Sequence, residues 1–203
     1  MPTPEVVVFD LGKVLVDFDY RIAASRIAAR SRLSPEEVQA LIDHSPLLVR
    51  FETGRLTREQ LFAEVQSGTG FSGTLEEFGR FFSDIFTPIE PMVRLHAELR
   101  EAGVPSFIFS NTNELAVGHI RNQFPFFSTF DGYILSYEHG SMKPEPVLYE
   151  VVEEQTGRRG AALFYLDDRP ENIQTGLQRG WQAVLHASPE QTKTALRQAG
   201  LLR

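Results

Sequence analysis

Short apolar runs alternate with longer stretches of mixed polarity along most of this chain. Residues 5–10, 104–109, 131–135, 161–166 and 182–186 are dominated by Val, Ile, Leu, Phe, Tyr and Ala. Runs of this length without polar alternation suit strands buried on both faces. Helical patterns fill several of the intervals, which predicts a parallel sheet with helices on both sides, an α/β core in three layers. Residues 20–87 break the rhythm. Ser34–Glu37, Thr57–Gln60 and Thr74–Glu77 each have the S/T-x-x-E/Q form of a helix start, in which two side chains satisfy each other's backbone N–H groups. Thr87–Glu90 predicts a further start leading back into the sheet, and Ser188–Gln191 a terminal helix. Phe78, Phe81, Phe82 and Ile85 fall at i, i+3, i+4 and i+7 and give the third helix an apolar face. No β-pattern interrupts the interval. Residues 18–87 are therefore expected to be an all-helical cap inserted into a core built from residues 1–17 and 88–203.

Composition narrows the function classes. The 203 residues leave room for one core and a modest insertion, and 42% hydrophobic against 23% charged residues supports a packed interior. Sixteen Phe against one Trp makes phenylalanine the main aromatic of that interior. A net charge of −7 disfavours nucleic acid and acidic membranes as partners. A phosphorylated substrate would then need locally concentrated positive charge, which a metal ion supplies. With no Cys, disulfides, thiolate catalysis and thiolate-zinc sites are excluded. No run approaches 18 apolar residues, and no basic segment followed by a long apolar one opens the chain, so a cytoplasmic location is expected. His44, His96, His119, His139 and His186 show no paired ligand spacing, which argues against a histidine metal site.

In sheets of this kind ligands bind at the carboxyl ends of the strands. Asp10, Ser110 and the pair Asp167–Asp168 all fall there. A carboxylate such as Asp10 attacks phosphorus only where the phosphoryl charge is neutralised, so it calls for a divalent metal; a strand-end Asp is also a common turn or cap residue. Two adjacent acids repel unless a cation lies beside them, and magnesium takes carboxylate oxygens. A solvated turn before Arg169–Pro170 is the other reading. Ser110–Asn111 can hold phosphate oxygens at a strand-to-helix turn, or simply cap the helix, and Asn111 can instead face a leaving group. Lys143 lies in Ser-Met-Lys-Pro-Glu-Pro, where Pro144 and Pro146 stiffen the backbone around a charge able to stabilise a phosphoryl group. Phe124–Phe127 reads as a core plug rather than an aromatic recognition platform. Asp17 and Asp19 read as turn residues on a flap after Gly12, or as facing the site. Phe51, Glu52 and Arg55 are pocket or cap-structure residues.

Taken together and in order, FDLGKVLVDFD, FSNTNE, MKPEPVLYE and LFYLDD resemble the haloacid dehalogenase (HAD) superfamily from Val6 to about Ala187. With the string FETGRLTREQLF, they most resemble the bacterial α-D-glucose-1-phosphate phosphatases within it. The resemblance implies a Rossmann-like core with a helical cap. It also implies magnesium-dependent hydrolysis of a small phosphorylated metabolite, such as a hexose 1-phosphate, through an aspartyl-phosphate on Asp10. Asp10, the Gly12 carbonyl and Asp168 would bind Mg2+, with Asp167 supporting them from behind. Ser110, Asn111 and Lys143 would hold the phosphate, and Asn172 stands where many relatives carry another Asp. Most phosphatases of the superfamily have Asp two residues after the nucleophile; Gly12 keeps the carbonyl and loses the acid that protonates the leaving group. A metal-free 2-haloacid dehalogenase and an idle scaffold that binds protein are the competing readings. Asp167–Asp168 opposes the first, because the pair would repel a carboxylate substrate. Retention of Asp10, Lys143 and Asp168 opposes the second.

Overall fold

The computed structural model describes residues 2–43 and 46–203. The chain opens with β1 (Val6–Phe9) and a short β2 (Val16–Phe18). Five helices follow: α1 (Tyr20–Ala28), α2 (Pro35–Asp43), α3 (Pro46–Glu52), α4 (Arg58–Thr69) and α5 (Leu75–Ser83). After β3 (Phe86–Pro88), helices and strands alternate through α6 (Glu90–Glu101), β4 (Ser106–Ser110), α7 (Glu114–Gln123) and β5 (Gly132–Leu135). The chain then runs through α8 (Ser136–His139), α9 (Pro146–Thr156), β6 (Leu163–Asp167), α10 (Pro170–Gln178), β7 (Gln182–Leu185) and α11 (Pro189–Gln198).

The main sheet is parallel, with strand order β5-β4-β1-β6-β7. Successive β1 side chains point to opposite faces, and both faces are covered. Val7 and Phe9 pack with Leu95, Leu99, Ile120 and Leu196. Val6 and Val8 pack with Leu148, Tyr149, Val152 and Trp181. That two-sided burial is why β1 reads as an unbroken apolar run. The chain leaves β1 for β4 and β5 on one side, then returns for β6 and β7 on the other, so the strand order reverses around β1. The ends of β4, β1 and β6 therefore border the crevice where such sheets bind ligands.

The five helices carry a separate apolar cluster, including Ile27, Val38, Leu61, Phe71, Phe78 and Phe82. Reciprocal capping bonds form at Thr57–Gln60 and Thr74–Glu77 and at Ser34–Glu37. Ser188 caps α11 by accepting from the Gln191 N–H. On α5, Phe78 and Phe82 are buried, and Phe81 packs against the cluster from its edge. Ile85 is also buried, just past the end of the helix. Phe127 is buried within the 3-10 turn Pro125–Thr129.

Two expectations need correction. Thr87 caps no helix: it pairs with Asp17 in an antiparallel β2–β3 ribbon. The Ile89 N–H donates to the Leu15 carbonyl at 2.9 Å, which keeps the chain extended until α6 begins at Glu90 with no side-chain cap. The same ribbon ends the interval expected to be free of β-structure. Its three-residue strands are too short to show an alternating pattern.

Candidate active site

Asp10 follows β1 directly, its N–H donating to the Leu166 carbonyl of the neighbouring strand at 2.8 Å. Its Oδ1 accepts from the Leu11 N–H at 2.7 Å and from Lys143 Nζ at 2.9 Å. Its Oδ2 accepts no hydrogen bond among the described residues. Lys143 is buried at 4% exposure and also donates to Asp167 Oδ2 at 2.6 Å and to the Phe109 carbonyl at 2.8 Å. Three donors therefore meet three acceptors, and the ammonium is fixed between two carboxylates.

Asp167, with 0% exposure, accepts four bonds. The Arg169 N–H (2.8 Å) and Asn172 Nδ2 (2.9 Å) reach Oδ1; Lys143 and the Tyr165 hydroxyl reach Oδ2. All its lone pairs are thus occupied. Asp168, the next residue, is half-buried and lines the cleft. Carboxylate oxygens of Asp10, Asp167 and Asp168 all lie within 4.8 Å of one another.

One buried lysine does not balance three acids. Burial raises the Asp10 pKa to about 7; Lys143 opposes the rise, and Asp167 and Asp168 add to it. Asp168 is raised by burial and then by Asp167. Burial also acts on Asp167, but Lys143 and the other donors outweigh it and hold that acid below its usual range. An anionic Asp10 at neutral pH needs further positive charge nearby. A hard divalent cation held by oxygen ligands supplies it, so the donor set fits Mg2+. Asp10 and Asp168 would hold the ion, with Gly12 beside them on the cleft wall, while Asp167 is committed to its four donors. Asp168→Ala is expected to raise the magnesium concentration for half-maximal activity on the order of tenfold or more. Asp167→Ala is expected to act mainly on stability, by stranding the buried lysine. Magnesium titration and melting of both variants check this, and the reverse order would move the ligand to Asp167.

Ser110 is buried at the end of β4, and its hydroxyl donates a long bond, 3.3 Å, to the Asn111 carbonyl. The Asn111 amide bonds twice to the lysine backbone: it accepts from the Lys143 N–H at 2.7 Å and donates to the Lys143 carbonyl at 2.9 Å. It therefore clamps the lysine loop to β4, and it also lines the cleft and the recess beside Gly12. Asp17 pairs with Lys13, and Asp19 caps α1 and pairs with Arg21; neither lines the cleft. His96 is stacked on Phe130 and bonded to Ser106 in the core. His119 lies beside Asp84 and His186 beside Thr192, while His44 lies outside the described residues. Tyr165 went unnoticed in the sequence. The signal was there, two residues before Asp167 on the same strand face.

The cleft has a volume of about 240 Å³ and sits between these groups and Tyr20, Leu48 and Glu52 of the helical segment. A recess of about 70 Å³ adjoins it beside Gly12, with Leu11, Val16, Phe86, Ala116 and Ile120 in its wall. Of the three helical-segment residues singled out by sequence, Phe51 is buried in the segment's own core, Arg55 is exposed, and Glu52 lines the cleft. A Cβ on Gly12 would come within 2.8 Å of Phe18 Cε1, so the Phe18 ring fills the space a side chain there would need.

A family model for haloacid dehalogenase-like hydrolases matches residues 4–180. The chain belongs to that family. The sesquiterpene phosphatase astK of Aspergillus oryzae is 24% identical over 174 residues, 84% of each chain. The HAD family enzyme bt-2542 of Bacteroides thetaiotaomicron, solved with magnesium and inorganic phosphate, superposes with a TM-score of 0.79 at 19% identity; the match covers 91% of this chain and 94% of that one. L-2-haloacid dehalogenase from Xanthobacter autotrophicus superposes at 0.65 with 21% identity, covering 97% and 83% respectively.

Proposed function

We propose that the chain is a magnesium-dependent phosphatase of a small phosphorylated metabolite, with a hexose 1-phosphate as the favoured substrate. The helical segment, residues 18–87, acts as the cap over the site. One observation carries the reading: Asp10 is held at Oδ1 by Leu11 and Lys143 while Oδ2 accepts no hydrogen bond among the described residues, inside a cluster of three acids that calls for a cation. The Asp10 carboxylate attacks phosphorus, the bond to the leaving oxygen breaks, and an aspartyl-phosphate forms. Water then attacks that phosphorus, releasing phosphate and restoring Asp10. Magnesium, when bound, neutralises the phosphoryl oxygens. Lys143 orients Asp10 and balances charge, and Ser110 offers its hydroxyl to a phosphate oxygen.

Gly12 shapes the choice of substrate. A general acid contributes about 10²–10⁴-fold where the departing oxygen needs a proton. An anomeric oxygen needs it less than an alkyl one, because the ring oxygen makes the hemiacetal hydroxyl more acidic, so a site whose proton donor is not carried at position 12 beside the nucleophile favours it. The α-D-glucose-1-phosphate phosphatase resemblance agrees with that preference. The mostly apolar wall of the recess also favours a phosphorylated isoprenoid alcohol, a class suggested by the name of the A. oryzae relative.

The test is a panel of phosphorylated metabolites assayed with magnesium, including glucose 1-phosphate, glucose 6-phosphate and farnesyl phosphate. A higher kcat/KM for glucose 1-phosphate than for the 6-phosphate is expected. A preference for the 6-phosphate would overturn the argument from Gly12. Chloride release from a 2-haloacid without magnesium would instead establish the dehalogenase alternative.

A further inference from the structure

We propose that Glu52 is the acid that protonates the leaving oxygen, reaching it from the helical segment in place of the side chain absent at Gly12. This rests on the phosphatase reading and names a residue that performs one of its steps.

Three observations support it. Asp10 and Asp168 belong to the cation cluster, and Asp167 is saturated by its four donors. Among the described residues, Glu52 is the one remaining carboxyl group in the cleft wall. It also lines the recess beside Gly12, next to Ser110 and Asn111, where no other carboxyl group is found among the described residues. The space normally open to an acid at position 12 is filled by Phe18, so a proton donor has to come from elsewhere on that wall.

The Glu52 carboxyl also has no competing assignment. It forms no hydrogen bond or ion pair among the described residues, whereas the other cleft acids are bonded or clustered. An acidic side chain left half-buried and without a partner is costly unless it stays protonated or meets a ligand. Burial raises its pKa to about 7, with the Arg169 guanidinium pulling the other way. A substantial protonated fraction is therefore present at neutral pH, which is what a general acid requires.

The step balances. As an Asp10 oxygen bonds to phosphorus, the bond from phosphorus to the leaving oxygen breaks and its electron pair stays on that oxygen. The Glu52 proton moves there, giving a free hydroxyl and a Glu52 carboxylate. When water attacks the aspartyl-phosphate, Glu52 takes up the proton that water loses, and both residues return to their starting state.

Glu52→Gln keeps the size of the side chain and removes the acid. The probes are phenyl phosphate, whose leaving oxygen needs a proton, and dinitrophenyl phosphate, whose leaving oxygen does not. With magnesium present, kcat/KM for phenyl phosphate is expected to fall on the order of 10²-fold, and at least about tenfold more than that for dinitrophenyl phosphate. Equal losses on both esters would assign Glu52 to binding or structure, and no loss on either would remove it from the reaction. Both results overturn the inference. Wild-type turnover of dinitrophenyl phosphate that disappears in Asp10→Asn keeps the phosphatase reading in place while Glu52 is judged. Turnover of neither ester by the wild type would bring down that reading itself.

Discussion

Asp10→Asn is expected to lower phosphatase turnover by about 10³-fold or more while leaving the protein folded. The size follows from removing a nucleophile whose partners act as a unit with it. An amide has no anionic oxygen to bond with phosphorus, and Lys143 cannot replace one. The fold should survive because the Asn carbonyl can still accept from the Leu11 N–H and Lys143 Nζ, the two bonds that orient Asp10. Asp167 remains to balance the lysine. Losing one of three crowded acids also relieves repulsion, so the melting temperature without magnesium should match or exceed that of the wild type. Turnover and thermal melting on the same preparation check both halves, and near-wild-type turnover would remove Asp10 from the mechanism.

Lys143→Ala is expected to damage stability and rate together. Removing one partner of a buried ion pair leaves the other charge uncompensated, a loss of about 3–5 kcal/mol. Here two buried carboxylates lose their shared cation. The deficit should depend on pH in a definite direction. Asp10 has its folded pKa raised to about 7 even with the lysine present. A raised acid binds protons more tightly in the folded state, so its stabilising effect is complete at low pH and is lost as pH rises through the folded value. Without Lys143 that value rises further. The melting-temperature gap between variant and wild type should therefore widen as pH rises above about 7, where wild-type Asp10 has ionised and the variant's Asp10 still holds its proton, and magnesium should narrow it. Magnesium should not restore the rate, because Lys143 acts on Asp10 and on phosphoryl charge rather than on the ion. Full recovery of rate at saturating magnesium would contradict that role.

The core of the fold was legible because β1, β4 and β6 are covered on both faces and so appear as continuous apolar runs ending at Asp10, Ser110 and Asp167. The β2–β3 ribbon was not, since three residues per strand carry no period. Within the site, strand ends announced the acids, and the two prolines around Lys143 marked a fixed lysine. The engagement of Asn111 was hidden because its partner lies across a loop, at the Lys143 backbone. Phe51 and Glu52 at the end of α3 and Arg55 in the bend after it face core, cleft and solvent respectively. Which one faces the cleft is decided by how α3 packs on its neighbours, and local sequence does not encode that.

The central claim is that phosphate passes through a covalent bond to Asp10. Transfer from an isotopically chiral aryl phosphate to an acceptor alcohol, with magnesium present, reads this directly from the stereochemistry at phosphorus. Each in-line displacement inverts the centre. Two displacements, onto Asp10 and off again, predict net retention in the product ester, with transfer abolished in Asp10→Asn. Net inversion would mean a single direct displacement and would contradict the account.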